Sequence, residues 1–225
     1  MTTSSKTAFE RLFDAMTRPL VVVFCFGLIT LLFLYIDQPI TIAAHGAQFE
    51  NGAQFETKFP WLDLLTKFGK IQAYIIGIGI VALASELVFK NIHSERRACF
   101  LLSCLLLSNL VCLVLKVTLG RARPDLYFSE HLYGFYGPHK NPLYWSFPSG
   151  HTTTIMALVF GLSALFPRYM IGFILFGSLV AASRILLLQH YLSDVLMASY
   201  LALIEVGFLY YWLSAYLRDN KKRIL

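Results

Sequence analysis

Charge is what this chain has least of: 14% of its 225 residues are Asp, Glu, Lys or Arg, against 57% apolar. A soluble domain carries roughly a quarter charged residues, so the shortage excludes an ordinary water-soluble globule. The remaining charge leans positive, +6 at pH 7, but the cations are scattered between apolar runs. No basic block interleaves with aromatics, which excludes a nucleic-acid partner. The four cysteines, Cys25, Cys99, Cys104 and Cys112, form no CxxC pair and no grouping with His, so they are expected to pack as small apolar side chains. No cluster offers several carboxylates or His/Cys ligands at metal spacing, so neither metal nor other cofactor is expected. The apolar runs do not alternate in period two, which excludes a transmembrane β-barrel. Met1–Thr17 carries Glu10 and Asp14, and no small-residue cleavage site follows the first apolar run, so no cleavable signal peptide is expected.

What the chain has in quantity is apolar length. A transmembrane helix needs roughly 20 residues, and six runs approach or meet that: Pro19–Ile36, Ile71–Phe89, Ala98–Leu115, Thr152–Phe166, Met170–Leu188 and Val195–Leu217. The fourth is short, ended by Pro167-Arg168. Helices are required because lipid offers no partner to an unpaired backbone group. The expected fold is therefore all-α, a polytopic membrane bundle of about six transmembrane helices with short interfacial helices. Two segments have the spacing of interfacial helices: Phe9, Leu12, Phe13 and Met16, then Trp61, Leu64, Leu65 and Phe68. The expected organisation is an amphipathic segment 1–18, one six-helix domain 19–217 and a basic tail 218–225. The loop after the first run repeats Gly-Ala-Gln-Phe-Glu, at 46–50 and 52–56, a duplication with no functional implication.

An even number of crossings puts both termini on one side. That side would hold Lys6, Arg11, Arg18, Lys90, Arg96, Arg97, Arg168, Arg218, Lys221, Lys222 and Arg223, and the other Lys58, Lys67, Lys70, Arg121 and Lys140, once Lys116, Arg123 and Arg184 of the polar clusters described below are set aside. The positive-inside rule then makes the termini cytoplasmic.

Three clusters break the apolar pattern: Lys116–Pro124 (KVTLGRARP), Ser146–His151 (SFPSGH) and Ser183–Asp194 (SRILLLQHYLSD). Lys, Arg, His and Asp at membrane boundaries are costly unless they meet and pair, and all three clusters fall on the predicted outer side. His190 and Asp194 are four apart, which on a helix stacks them on one face. A carboxylate beside an imidazole fixes its tautomer and stabilises the cation formed when the other nitrogen bonds an electrophile. Pro148-Ser149-Gly150-His151 opens an apolar helix whose N–H groups and dipole make an anion site. There His151 is placed to protonate a leaving oxygen and later accept a proton from water. Lys116, Arg123 and Arg184 can neutralise charge spread over phosphoryl oxygens.

Lys116–six residues–Arg123-Pro124, Pro148-Ser149-Gly150-His151, and Ser183-Arg184–five residues–His190–three residues–Asp194 resemble the three-part signature of the type 2 phosphatidic acid phosphatase family, whose superfamily includes bacterial acid phosphatases and vanadium haloperoxidases. The resemblance implies that His190 attacks phosphorus, Asp194 orients it and His151 serves as acid, then base. Lys116, Arg123, Ser149, Gly150 and Arg184 would hold the phosphate, with no metal. It implies a membrane hydrolase acting on a lipid phosphate or diphosphate, such as undecaprenyl diphosphate, phosphatidylglycerophosphate, phosphatidic acid or a lipid A phosphate. Short length and the lack of an Asn-x-Ser/Thr site favour a bacterial inner membrane, with the site facing the periplasm or exterior.

A lipid-to-lipid phosphotransferase would use the same residues. A transporter or scaffold ranks below both, because no inverted repeat is visible. The motifs leave the oligomeric state open. Arg121 is an extra cation without an assigned role; His45, His93, His131 and His139 are expected mostly at the surface. The aromatic stretch Asp125–Phe147 reads as an interfacial belt or a cap over the headgroup, which Gly134 and Gly137 would let move. Glu86 and Glu205, inside apolar runs, need partners.

Overall fold

The computed structural model describes residues 6–49, 60–88 and 90–223. Among them every regular element is helical: α1 (Ala8–Met16), α2 (Pro19–Leu31), α3 (Asp37–Phe49), α4 (Pro60–Lys67), α5 (Ile71–Leu87), α6 (Ile92–Leu119), α7 (Pro124–Glu130), α8 (Gly150–Leu165), α9 (Met170–Leu186) and α10 (Leu192–Arg223). A π-helical stretch, Leu32–Ile36, joins α2 to α3. The repeated pentapeptide runs into residues 50–59, outside the described residues.

All six apolar runs are helical. Four helices are long and apolar enough to cross a bilayer alone: Pro19–Gly46, Ile92–Leu119, Pro167–Leu186 and Leu192–Ser214. A fifth crossing results if Trp61–Lys67 and Ile71–Leu87, bent by 50° at their break, act together. The sixth run, α8, has 16 residues. At 1.5 Å per residue that is about 24 Å, short of a hydrocarbon layer of about 30 Å. Pro167 opens a 3₁₀ turn there, and its missing N–H prevents continuation.

The short helix sits at the centre, packed by α6, α9 and α10. Ala157, Gly161 and Ala164 of α8 and Ala198 and Ala202 of α10 are buried. Small residues let backbones approach, which matters where lipid removes the hydrophobic drive between helices. Ile155, Val159, Phe160, Leu203 and Val206 fill the remaining space.

Both expected interfacial helices are docked on the bundle, for identifiable reasons. A capping box starts α1: Glu10 N–H donates to Thr7 Oγ1 at 3.2 Å, and Thr7 N–H donates to Glu10 Oε2 at 2.7 Å. Phe9 then joins the main core, and Tyr200 Oη donates to Met16 O at 3.1 Å. In α4 the residues facing the protein are Leu62 and Thr66, whereas Trp61, Leu64 and Phe68 are exposed. Most of the apolar stripe of α4 faces outward, and its inner face packs on α9. Glu86 is exposed near the end of α5, while Glu205 Oε2 is buried with no hydrogen-bond partner among the described residues.

The end of α6, the start of α8, the end of α9 and the start of α10 carry the three polar clusters at one end of the bundle.

Candidate active site

The first cluster begins where α6 stops. Gly120 takes the left-handed conformation (φ 60°) and caps the helix. A Cβ there would collide with the Gly137 carbonyl oxygen, so glycine is required twice over. The turn is laced to the aromatic loop. Tyr136 N–H donates to Gly120 O at 3.0 Å, Ala122 N–H to Gly134 O at 3.1 Å, Arg123 N–H to Leu143 O at 3.0 Å and Ser146 N–H to Arg121 O at 3.0 Å. These bonds tie to the end of α6 the loop that the sequence presents as an interfacial belt or a cap. Lys116 Nζ donates to Trp145 O at 2.6 Å, and its Cε passes 3.4 Å from where a Cβ on Gly150 would stand.

Ser149 occupies the N-cap of α8, but its hydroxyl makes no capping bond. It accepts instead from Thr152 Oγ1 at 3.0 Å. The backbone N–H of Ser149 donates to Asp194 O at 3.3 Å, tying the second cluster to the third.

His190 and Asp194 meet, though not as two residues of one helix. His190 lies in the turn between α9 and α10, and Asp194 is in the first turn of α10. The Arg184 carbonyl accepts from Gln189 N–H at 3.0 Å and His190 N–H at 3.2 Å, folding the turn back. Asp194 Oδ2 accepts from Tyr191 N–H at 2.9 Å and from Ser146 Oγ at 2.6 Å. His190 Nδ1 lies 3.6 Å from Asp194 Oδ2 and 3.5 Å from Ser146 Oγ, so the carboxylate and the serine share one ring nitrogen and leave Nε2 for chemistry. Burial pushes the His190 imidazole down to about 3, with Asp194 opposing and Lys116 and Arg123 reinforcing. The ring is therefore neutral near pH 7, the form a nucleophile needs.

Arg123 is half-buried, with Nη1 3.5 Å from Gln189 Oε1. Arg184 is buried, and its Nη1 donates to Thr66 Oγ1 of α4. Lys116 and Arg123 lie within electrostatic reach of both His190 and His151, and Arg184 and Lys70 also reach His151. The structure thus brings all eight sequence-predicted residues, Lys116, Arg123, Ser149, Gly150, His151, Arg184, His190 and Asp194, into one region.

Four contributors escaped the sequence reading. Ser146 lies inside the second cluster but is silent until Asp194 approaches. Thr66 and Gly69 come from the α4–α5 break; a Cβ on Gly69 would stand 2.6 Å from His151 Cβ and 2.7 Å from its Cδ2. The fourth is Asp37, a carboxylate one residue past the first apolar run, where its cost was a usable signal. Asp37, Arg121 and Asp194 are each 0% exposed. Arg121 Nη2 donates to Asp37 Oδ2 at 2.8 Å, and its Nη1 donates to Asp194 Oδ1 and to Ser193 Oγ, the latter at 2.7 Å. Its guanidinium carbon lies 4.4 Å from the ring centre of Tyr191, 4.8 Å from Phe33, 5.5 Å from Tyr133 and 5.6 Å from Phe135. Part of the aromatic loop is therefore a cage around a buried cation.

Among the described residues, no group of three or more His, Cys, Asp or Glu side chains could hold a metal ion. Fold and site together define a polytopic helical membrane protein with two histidines and several cations gathered at one end of the bundle. Residues 97–218 match the PAP2 superfamily, and the chain belongs to it. Lipid A 1-phosphatases of Rhizobium etli and Rhizobium johnstonii are each 32% identical over 145 residues, 60% of this chain. The match spans 62% and 59% of those relatives, about three fifths of their length. The crystal structure of a transmembrane PAP2-type phosphatidylglycerolphosphate phosphatase from Bacillus subtilis is similar over 92% of both chains, with 18% identity and a TM-score of 0.44.

Proposed function

We propose that this chain is an integral-membrane lipid phosphatase working through a phosphohistidine. The observation that carries the reading is the joining of the three clusters: Asp194 and Ser146 meet His190 Nδ1, the Ser149 N–H donates to Asp194 O, and Lys116 crosses Gly150. His190 Nε2 forms a bond to phosphorus while the phosphorus–oxygen bond to the lipid breaks. Burial and the cations Arg184, Lys70, Lys116 and Arg123 push the His151 imidazole down to about 4 in the protein alone, so His151 takes up its proton as the phosphate's negative charge enters beside those cations, and gives it to the departing oxygen. Water then bonds to phosphorus, His151 takes its proton, the phosphorus–Nε2 bond breaks and inorganic phosphate leaves. Lys116, Arg123, Arg184, the Ser149 hydroxyl and the Gly150 N–H hold the phosphoryl oxygens, and Asp194 and Ser146 hold Nδ1. These groups supply the charge and protons the reaction needs without a metal.

The polar end of the bundle faces the periplasm or exterior under the positive-inside rule, and suits a substrate whose tails stay in the bilayer. Among phospholipid, prenyl and lipid A phosphates, the likeness to lipid A 1-phosphatases supports the 1-phosphate of lipid A as the substrate. Purified protein in detergent micelles should release phosphate from lipid A faster than from phosphatidic acid, phosphatidylglycerophosphate or undecaprenyl diphosphate. Release should survive a chelator. Another preferred lipid overturns the substrate, turnover only with an added lipid hydroxyl favours transfer, and loss with chelator overturns the metal-free mechanism.

Gly69→Ala tests the contact of the α4–α5 break with His151. The added methyl overlaps the His151 Cβ as well as its ring, so the backbones must move apart; kcat is expected to fall about tenfold or more, and the melting temperature to fall with it. Unchanged turnover would show that His151 need not stand where it does.

A further inference from the structure

Asp37 lies outside the three motifs and Arg121 fills an unassigned position inside the first, yet Arg121 ends on the carboxylate beside His190 and Asp37 ends on Arg121. The guanidinium is shared: one nitrogen serves Asp37 and the other serves Asp194. Ser193 holds the two halves together. Its N–H donates to Asp37 Oδ1 at 2.9 Å, its hydroxyl donates to Asp37 Oδ2, and the same oxygen accepts from Arg121. The π-helical stretch supports the arrangement, because the Phe33 carbonyl accepts from Tyr133 Oη and the next residue after the stretch is Asp37. Asp37, Arg121, Ser193 and Asp194 are all buried, so the charges act at close quarters.

The charge count decides what this arrangement can do. Two carboxylates and one guanidinium sum to −1. When His190 Nε2 bonds phosphorus while Nδ1 keeps its proton, the ring gains +1, and the buried cluster becomes neutral overall. Without Asp37, Arg121 and Asp194 would cancel, and the cationic ring would face a carboxylate already neutralised. We infer that Asp37 and Arg121 are positioning residues for phosphoryl transfer: Arg121 fixes Asp194 through Oδ1 so that Oδ2 faces His190, and Asp37 keeps Arg121 from quenching the negative charge that the phosphohistidine requires. The first span is then part of the site, although it lies 79 residues before Lys116 (116 − 37). This rests on the phosphohistidine reading above.

The test is a charge cycle in the detergent phosphatase assay, with His190→Ala as the control. Asp37→Asn makes the cluster neutral and should lower kcat by about ten- to a hundredfold, with KM within about twofold. Asp37→Asn/Arg121→Gln returns the net charge to −1 and should recover roughly fivefold or more of that loss. A merely structural pair predicts the opposite order, since the double variant loses more native bonds. Should Asp37→Asn not give monodisperse protein, Ser193→Ala replaces it. That variant removes the bridging hydroxyl without changing charge and should lower kcat about fivefold. Wild-type kcat in Asp37→Asn, or in Ser193→Ala where that is used, overturns the inference, as does a double variant slower than the single one. Turnover retained by His190→Ala overturns the phosphohistidine reading instead, so the two failures are distinguishable.

Discussion

His190→Ala should lower phosphate release by about ten-thousandfold or more, because no other group can form the covalent intermediate. The geometry explains why no neighbour can substitute. His190 Nδ1 is shared by Asp194 and Ser146, so its Nε2 alone combines a free lone pair with a stabilised cationic product. The largest electrostatic influences on His151, at the start of α8, are instead the cations Arg184, Lys70, Lys116 and Arg123. A second nucleophile surrounded by cations would gain no help once its ring became positive. Acid quench of wild-type protein during turnover should trap labelled phosphate in an acid-labile linkage, and the variant should trap none. Label retained by the variant would mean that another residue is the nucleophile.

The second large effect is on stability. Arg121→Met should destabilise the protein by about 3–5 kcal/mol, because it leaves two carboxylates buried and unpaired. Asp37 and Asp194 are both fully enclosed, so neither can turn to water. Met fills much of the aromatic cage but supplies no hydrogen-bond donors. A much lower melting temperature in detergent is expected, with partial recovery in Arg121→Met/Asp37→Asn, where one carboxylate is gone. A melting temperature unchanged from wild type would mean that the guanidinium is not holding the two acids. The same logic separates Arg121 from Arg123 and Lys116, whose removal should cost activity more than stability because neither makes an ion pair with a buried carboxylate among the described residues.

Several features were legible before any coordinates. Lys116, Arg123, His151, Arg184, His190 and Asp194 stand at the edges of apolar runs, where an unpaired polar group is expensive, and that expense alone says that they must meet. The relation of His190 to Asp194 was only partly legible. Spacing of four suggested one helix face, but the chain turns between α9 and α10, and Asp194 reaches back as the first-turn carboxylate of α10. Ser149 has the residue type of a cap, yet its hydroxyl pairs with Thr152, a choice that depends on local rotamers. Trp61, Leu64, Leu65 and Phe68 gave the period of an interfacial helix, but that Leu65 packs against the core while Trp61, Leu64 and Phe68 face outward was visible only in the tertiary structure.

The amino-acid order by itself determined the class of solvent, the helical fold, the approximate number of spans and the three polar clusters. Each follows from short-range facts: apolar run length, breakers such as Gly120 and Pro167, and the cost of polar groups in hydrocarbon. Only the tertiary structure decided that Asp37, Arg121, Ser193 and Asp194 form one buried charge cluster, that Ser146 lies between His190 and Asp194, and that Gly69 presses on His151. Those relations join residues up to 157 positions apart (194 − 37). Their charges become informative only when packing removes water and forces each to find its partner.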